Sequence, residues 1–237
     1  FNKATEQAQK KSVNFSDLLD KVARACPELR IRFSTSNPQD MTLEVIKTMG
    51  KHENICKSIH LPVQSGSSKV LKAMNRGYDR EKYITLIDNI KNMLADCSIS
   101  MDMITGFCGE TEEDHQDTLS IMEHCKYDMS YMYFYSERPG TLAARKYEDD
   151  VPEDSKRRRL SEVIEVQHEV SRKLNAAQLG KIHRVLVEAQ SKKNADEWMG
   201  RNEQNLKVIF PRSTYAIGDY VDVRIEKTTT ASLIGVG

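Results

Sequence analysis

The sequence predicts an α/β fold: part of a parallel α/β barrel, followed by a small antiparallel β-barrel of OB-like size. Three observations carry this expectation. Up to residue 141, short strand-like runs alternate with helical ones, the pattern made by parallel strands with right-handed crossovers. Three of those runs alternate apolar and polar residues, with polar groups on one face near the carboxyl end. Fully buried parallel strands read instead as unbroken apolar stretches, so helices outside and a polar pocket inside are expected. Beyond residue 180 the period switches to two, with turn residues between short runs.

Residues 1–14 read as an exposed polar linker, and the opening Phe1-Asn2-Lys3, without an initiator methionine, predicts a piece of a longer protein. Ser16 is expected to cap a helix with the apolar stripe Phe15, Leu18, Leu19, Val22 and Cys26, stopped by Pro27. A strand follows at 31–36 with Arg32, Ser34 and Ser36 on one face; Asn37-Pro38 turns the chain and Asp40 opens a helix using Leu43, Ile46 and Met49. The next strand, 59–63, sets His60, Pro62 and then Gln64 on one face, before Ser65-Gly66-Ser67-Ser68 starts a helix with Val70, Leu71 and Met74. Asp79 caps a longer helix with Tyr83, Ile87, Ile90 and Leu94 on one side. The run from Ile99 places Met101 and Met103 opposite Ser100 and Asp102, then breaks at Gly106 and Gly109. Thr111 followed by Glu112, Glu113 and Asp114 is a helix N-cap with first-turn acids. A strand at 131–135 runs into Ser136-Glu137-Arg138-Pro139-Gly140-Thr141.

The acidic run 148–154 marks a helix start, with Pro152 in the first turn; Leu160, Val163, Ile164, Val170, Leu174 and Ala177 form the apolar side of this helix, and Gly180 closes it. Strands are then expected at 182–189, 206–210, 220–225 and 232–234, and the domains divide as 1–179 and 180–237.

Lys+Arg and Asp+Glu are both 35, so net charge gives no overall pull toward nucleic acid or membrane. No apolar run is long enough to span a bilayer and no signal peptide is present, which makes the cytoplasm the expected compartment, with no membrane partner. Five cysteines, Cys26, Cys56, Cys97, Cys108 and Cys125, have no metal-ligand spacing, so reduced buried thiols are expected and no metal site.

Asp102 is the unusual residue, because a carboxylate on the inner face of a strand needs a partner. It orients a ligand hydroxyl pair or a cation, or it forms a structural ion pair with Arg32 or Arg138. Gln64 with Ser65-Gly66-Ser67 offers an amide, hydroxyls and free N–H groups to a carboxylate or phosphate, or simply caps a helix. His60 reads as a core histidine. Arg138 clamps an anion or is solvated. Lys156-Arg157-Arg158-Arg159, after an acidic run, reads as a salt-bridged solvated face. In the C-terminal strands, Arg184, Lys192, Lys193, Arg201, Lys207, Arg212 and Arg224 interleave with Trp198 and Tyr220, a nucleic-acid pattern, with Trp198 equally readable as core.

The runs His60-Leu61-Pro62-Val63-Gln64-Ser65-Gly66-Ser67, Asp102-Met103-Ile104-Thr105-Gly106-Phe107-Cys108-Gly109-Glu110-Thr111-Glu112-Glu113-Asp114 and Tyr135-Ser136-Glu137-Arg138-Pro139-Gly140-Thr141 resemble the radical S-adenosylmethionine methylthiotransferases. Ser191-Lys192-Lys193 and Gly200-Arg201-Asn202 resemble the start of that family's C-terminal TRAM domain. The resemblance covers nearly the whole chain, and the branch it most resembles is the MiaB type, acting on isopentenylated adenosine beside the tRNA anticodon. It implies a partial radical SAM barrel holding S-adenosylmethionine, whose cleavage yields a radical that takes hydrogen from the adenine ring carbon. It also implies two 4Fe-4S clusters in the full-length protein, the second supplying sulfur, and an electron donor of flavodoxin or ferredoxin type. By position Gln64, Ser65, Asp102 and Arg138 would hold the cofactor, Arg138 alternatively the tRNA. Lys192, Lys193, Arg201 and Lys207 would grip the RNA of the anticodon stem-loop. The family's C-x-x-x-C-x-x-C motif is absent, and cluster ligation needs those thiolates; the chain is therefore expected to lack catalytic residues and to be inactive alone. Cys108 stands where most relatives have proline and reads as a turn residue. The alternatives are the related enzyme of threonylcarbamoyladenosine tRNA and a non-catalytic RNA-binding module.

Overall fold

The structure is a computed structural model and describes residues 13–34 and 37–237. The expected linker therefore lies outside the described residues except for Val13 and Asn14, as do Thr35 and Ser36 of the expected first strand. Helix α1 (Phe15–Ala25) is capped by Asn14 rather than Ser16: Asn14 and Asp17 bond each other's backbone N–H in a capping box. Ser16 instead ties the helix to its neighbour through the Glu44 carbonyl and the Thr48 hydroxyl at 3.1 and 2.7 Å. Of the expected stripe only Leu19 is buried, joined by Ala23, while Phe15, Leu18 and Val22 stay exposed.

Among the described residues of the expected strand at 31–36, the pairing is one parallel bridge between Ile31 and Ile55. Arg32, just past that bridge, is drawn away to Glu188. Helix α2 (Leu43–Lys51) is capped by Thr42, with Asp40 ending a short 3-10 turn before it. Strand β1 (Ser58–His60), β2 (Ser98–Thr105) and β3 (Met129–Phe134) form a parallel sheet in that order. The β1 ladder continues with Leu61 N–H on the Ser100 carbonyl at 2.7 Å and then slips by one residue, so that pairing resumes at Gln64, whose N–H donates to the Asp102 carbonyl at 2.9 Å. Two buried tyrosines hold the interrupted carbonyls from beneath, Tyr83 on Leu61 and Tyr78 on Pro62 and Val63.

Helices α3 (Ser68–Ala73), α4 (Arg80–Met93) and α5 (Glu112–Cys125) start at caps Ser67, Asp79 and Thr111. They cover the apolar face of the sheet, where Ile59, Ile99, Met101 and Met103 are fully buried with Ile87 and Ile90. A short α6 (Leu142–Lys146), not expected from sequence, precedes α7 (Glu153–Ala176), whose N-cap is Pro152. The buried face of α7 differs from the expected apolar stripe: it carries Lys156, Arg159, Val163, Gln167 and Ser171. Each polar member has at least one partner, although Arg159 Nε is left without one. Gln167 donates to the Tyr127 carbonyl at 2.8 Å and Ser171 to the Asp128 carbonyl at 3.2 Å.

The C-terminal part closes into a barrel, β4 (Ile182–Gln190), β5 (Glu197–Arg201), β6 (Lys207–Pro211), β8 (Leu233–Val236) and β7 (Tyr220–Thr228) in spatial order. Strand β5 was not expected. Its Gly200 lies so close to β4 that a Cβ there would sit 2.3 Å from the Leu186 carbonyl oxygen, so the residue that weakens the strand signal is the one that permits the packing.

Candidate functional site

Along β2 the side chains alternate between burial under the helices and partial exposure on the other face. That second face is the concave one. It carries Ser100, Asp102 and Ile104, whose register partners on β3 are Met129, Tyr131 and Tyr133. All three partners are exposed, between 45 and 59%. From β1, His60 joins them: its Nδ1 lies 3.0 Å from the Ser100 hydroxyl and its Nε2 3.6 Å from Asp102 Oδ1. Its ring meets Tyr131 edge-on at 6.2 Å. Asp102 therefore pairs with neither Arg32 nor Arg138. Its partner is His60, which sits on the concave face and not in the core, and the carboxylate keeps a third of its surface open.

A cavity of about 540 Å³ opens at the carboxyl ends of the strands. Gln64 and Ile104 form its floor, Phe107, Tyr133 and Tyr135 line it with aromatic surface, and Arg76 and Arg138 bring positive charge. Strand ends are where α/β folds place ligands. Gln64 occupies a left-handed conformation, φ 73°, that few non-glycine residues adopt. Two backbone bonds to β2 hold it there, Gln64 N–H to Asp102 and Ile104 N–H to Gln64, both 2.9 Å. The structure thus brings Gln64 and Arg138 to one cavity, with Asp102 on the adjoining concave face. Ser65 is not part of the wall: it is fully buried and its hydroxyl accepts from the Ser67 N–H at 3.2 Å, a turn that leads into the Ser67 cap of α3.

The loop after Gln64 is braced on α5. Gly66 N–H donates to the Thr118 hydroxyl at 3.0 Å, and Arg80 reaches the Gly66 carbonyl at 2.9 Å. Asp114 is the hub: it accepts from Ser67 at 2.6 Å, from Lys69 at 2.8 Å and from the Thr111 N–H at 2.9 Å. Burial pushes its carboxyl up, but the bonds from Lys69, Ser67 and Thr111 outweigh burial and hold it down at about 2. A carboxyl held below its unfolded value contributes stability that is complete above about pH 4 and is lost as pH falls toward about 2. Acid unfolding followed by circular dichroism is expected to show a shallower slope across that window in Asp114→Asn. An identical slope would mean that Asp114 is not held in this way.

The cysteines do not converge. Cys56, Cys97, Cys108 and Cys125 are buried and separate, Cys26 is half-buried, and Cys108 packs with Val70 and Phe107 beneath the cavity. The one cluster of three ligand-type side chains among the described residues is Glu112, His115 and Glu162. Its carboxylates already face cations: Arg158 bonds both at 2.6 Å, and His115 meets Glu162 at 2.7 Å. Thiolate ligation of an iron–sulfur cluster does not fit the described residues.

On the barrel, Lys192, Lys193 and Lys207 are exposed. Arg201 is half-buried, its side chain on Glu188 at 3.4 Å and the Asn205 carbonyl at 2.8 Å. Trp198 is buried in the barrel core, with Arg212 over its ring at 4.7 Å. Of the run at 156–159, Arg157 and Arg158 are exposed and salt-bridged as expected, whereas Lys156 and Arg159 are buried and paired with Asp149 and Glu110. Tyr131, Tyr133 and α6 are site features that the sequence analysis does not single out; the signal for the first two is the period-two run of tyrosines on β3.

No described helix is long and apolar enough to cross a membrane. Comparison with known proteins matches residues 8–122 to the Radical SAM superfamily and 176–236 to the TRAM domain. Three proteins named tRNA-2-methylthio-N(6)-dimethylallyladenosine synthase are similar along almost the whole chain. That of Christiangramia forsetii is 56% identical over 99% of this chain and 49% of its own length. That of Amoebophilus asiaticus is 58% identical over 94% and 46%, and that of Bacteroides thetaiotaomicron 50% over 94% and 49%. The chain spans about half the length of the curated relatives it matches.

Proposed function

We propose that the chain is part of a radical SAM methylthiotransferase, an enzyme that places a methylthio group on the adenine ring carbon of isopentenyladenosine beside the tRNA anticodon. One observation carries this reading: an aromatic cavity with a few polar groups at the strand ends of a parallel sheet is joined through α7 to a closed five-strand barrel with exposed lysines. S-adenosylmethionine supplies the radical and the methyl group when bound. Gln64, pinned in its unusual conformation, offers an amide to the polar end of such a nucleoside cofactor, and Arg138 offers charge to its carboxylate. The aromatic wall of Phe107, Tyr133 and Tyr135 suits the adenine face. Asp102, oriented by His60, accepts from hydroxyls on the concave side. Lys192, Lys193 and Lys207 reach the phosphates of the anticodon stem-loop.

The two 4Fe-4S clusters and their electron donor, of flavodoxin or ferredoxin type, belong to the rest of the full-length protein, which works in the cytoplasm. The 237-residue chain alone is expected to bind no iron and to transfer no methylthio group.

The decisive experiment is Asp102→Asn in the full-length protein, with tRNA nucleosides read by mass spectrometry. Turnover is expected to fall at least tenfold while tRNA affinity is unchanged. Undiminished turnover, or a wild-type product on threonylcarbamoyladenosine, would overturn the reading.

A further inference from the structure

Residues 27–34, between α1 and the 3-10 turn, do more than connect: they hold the C-terminal barrel. The Arg30 guanidinium donates to the Arg184 carbonyl of β4 at 3.0 Å and to the Arg201 carbonyl at the end of β5. Its Cζ lies 4.9 Å from the centroid of the Tyr220 ring, at the start of β7, and the Arg184 Cζ lies 4.6 Å from the same ring. Two residues on, Arg32 pairs with Glu188 of β4 at 2.7 Å, and Glu188 also takes the Arg201 side chain at 3.4 Å. Just past the other end of β7, the Thr229 carbonyl accepts from Asn175 of α7 at 2.7 Å.

A planar guanidinium bonded to two main-chain carbonyls and stacked on a ring fixes direction as well as distance, which a pair of long flexible side chains does not. The three strands that Arg30 touches, β4, β5 and β7, are neighbours in the barrel wall. The same seam is a poor phosphate site, because Glu28, Glu53 and Glu203 line its cavity beside Arg30 and Arg184.

We propose that Arg30 is a positioning residue: it sets the orientation of the barrel against the parallel sheet, so that an RNA held by the barrel presents its base to the concave face. This rests on the RNA-binding reading of the barrel given above. Arg201 then serves the seam, its carbonyl taken by Arg30 and its side chain by Glu188 and Asn205. The exposed lysines are left to meet the RNA.

The test places spin labels, through unnatural amino acids, at exposed Lys47 and Lys193 and reads their distance distribution by pulsed dipolar spectroscopy. One narrow distribution is expected for the parent chain and a clearly broadened one for Arg30→Met, which keeps the aliphatic packing on Tyr220. Glu188→Gln, on the barrel side, is expected to broaden it as well. In the full-length protein Arg30→Met is expected to lower kcat for tRNA modification at least tenfold and to leave tRNA affinity within threefold. Unbroadened distributions in both variants overturn the proposal, and so does broadening with unchanged kcat. If the parent protein fails to bind tRNA, the RNA-binding reading falls, while the distance distributions still decide whether Arg30 sets the barrel.

Discussion

Gly66→Ala is expected to lower the melting temperature by about 10 °C. A Cβ at this position would lie 2.3 Å from the Asp117 carbonyl oxygen and 2.5 Å from the Thr118 Cα, both backbone atoms of α5. A flexible side chain could move aside; a helix backbone cannot without shifting as a unit. The loop must therefore lift, stretching the 3.0 Å bond from Gly66 N–H to Thr118. Overpacking of this kind costs about 1–3 kcal/mol and a lost buried hydrogen bond about 1 more. In a chain of this size each kcal/mol is worth roughly 2–4 °C. Gly109→Ala is the control: its φ is +71° but nothing lies within 4 Å of a Cβ, so only backbone strain of about 1 kcal/mol is expected. Equal melting temperatures for the two variants would show that Gly66 is chosen for its flexibility and not for the close approach. Because Gln64 lies two residues before the clash, Gly66→Ala is also expected to weaken cofactor binding, and Gly109→Ala is not.

The parts of this fold that were legible in the sequence are those whose local and tertiary preferences agree. The Asp79 and Thr111 caps, the Tyr83–Ile87–Ile90 stripe and the alternation along β2 satisfy local chemistry and burial together, so the pattern and the structure coincide. The failures have a common cause in tertiary partners that local pattern does not show. Helix α7 buries Lys156, Arg159, Gln167 and Ser171 because Asp149, Glu110 and the carbonyls of Tyr127 and Asp128 await them, and no periodicity of apolar residues can announce that. Strand β5 hides behind Gly200, and the described part of the run from Ile31 pairs through a single bridge. For the site, Gln64 and Arg138 were legible as polar residues at strand ends. The pairing of Asp102 with His60 was not, because it depends on the register of β1 against β2, which sets His60 beside Ser100.

Removal of the Arg159 guanidinium is expected to cost about 3–5 kcal/mol, the penalty for leaving a buried charge without its partner. Glu110 is almost wholly enclosed, its side chain 1% exposed, and it accepts from Arg159 at 2.9 Å and from the Gly106 N–H at 2.8 Å. Burial pushes its carboxyl up, and the Gly106 N–H and Arg159 pull it back. In Arg159→Ala only the Gly106 bond opposes burial, so the native carboxyl rises further above its unfolded value. A carboxyl raised in this way costs stability at pH values above its native pKa and ceases to do so below its unfolded one. The variant is therefore expected to be more stable at pH 4 than at pH 7 relative to the parent, as read by urea unfolding at each pH. Glu110→Gln removes the charge and retains an acceptor for Gly106, so adding it to Arg159→Met is expected to recover most of the loss. That recovery separates an uncompensated charge from a lost packing contact, which Glu110→Gln would leave unrepaired. The consequence reaches the cavity, because Gly106 has φ +69° and its Cα faces the Lys156 side chain at a distance that admits no Cβ. Glu110 and Arg159 hold this turn, and Phe107 of the aromatic wall is the next residue along. A pH-independent loss in Arg159→Ala, unrelieved by Glu110→Gln, would mean that packing by α7 alone positions the wall.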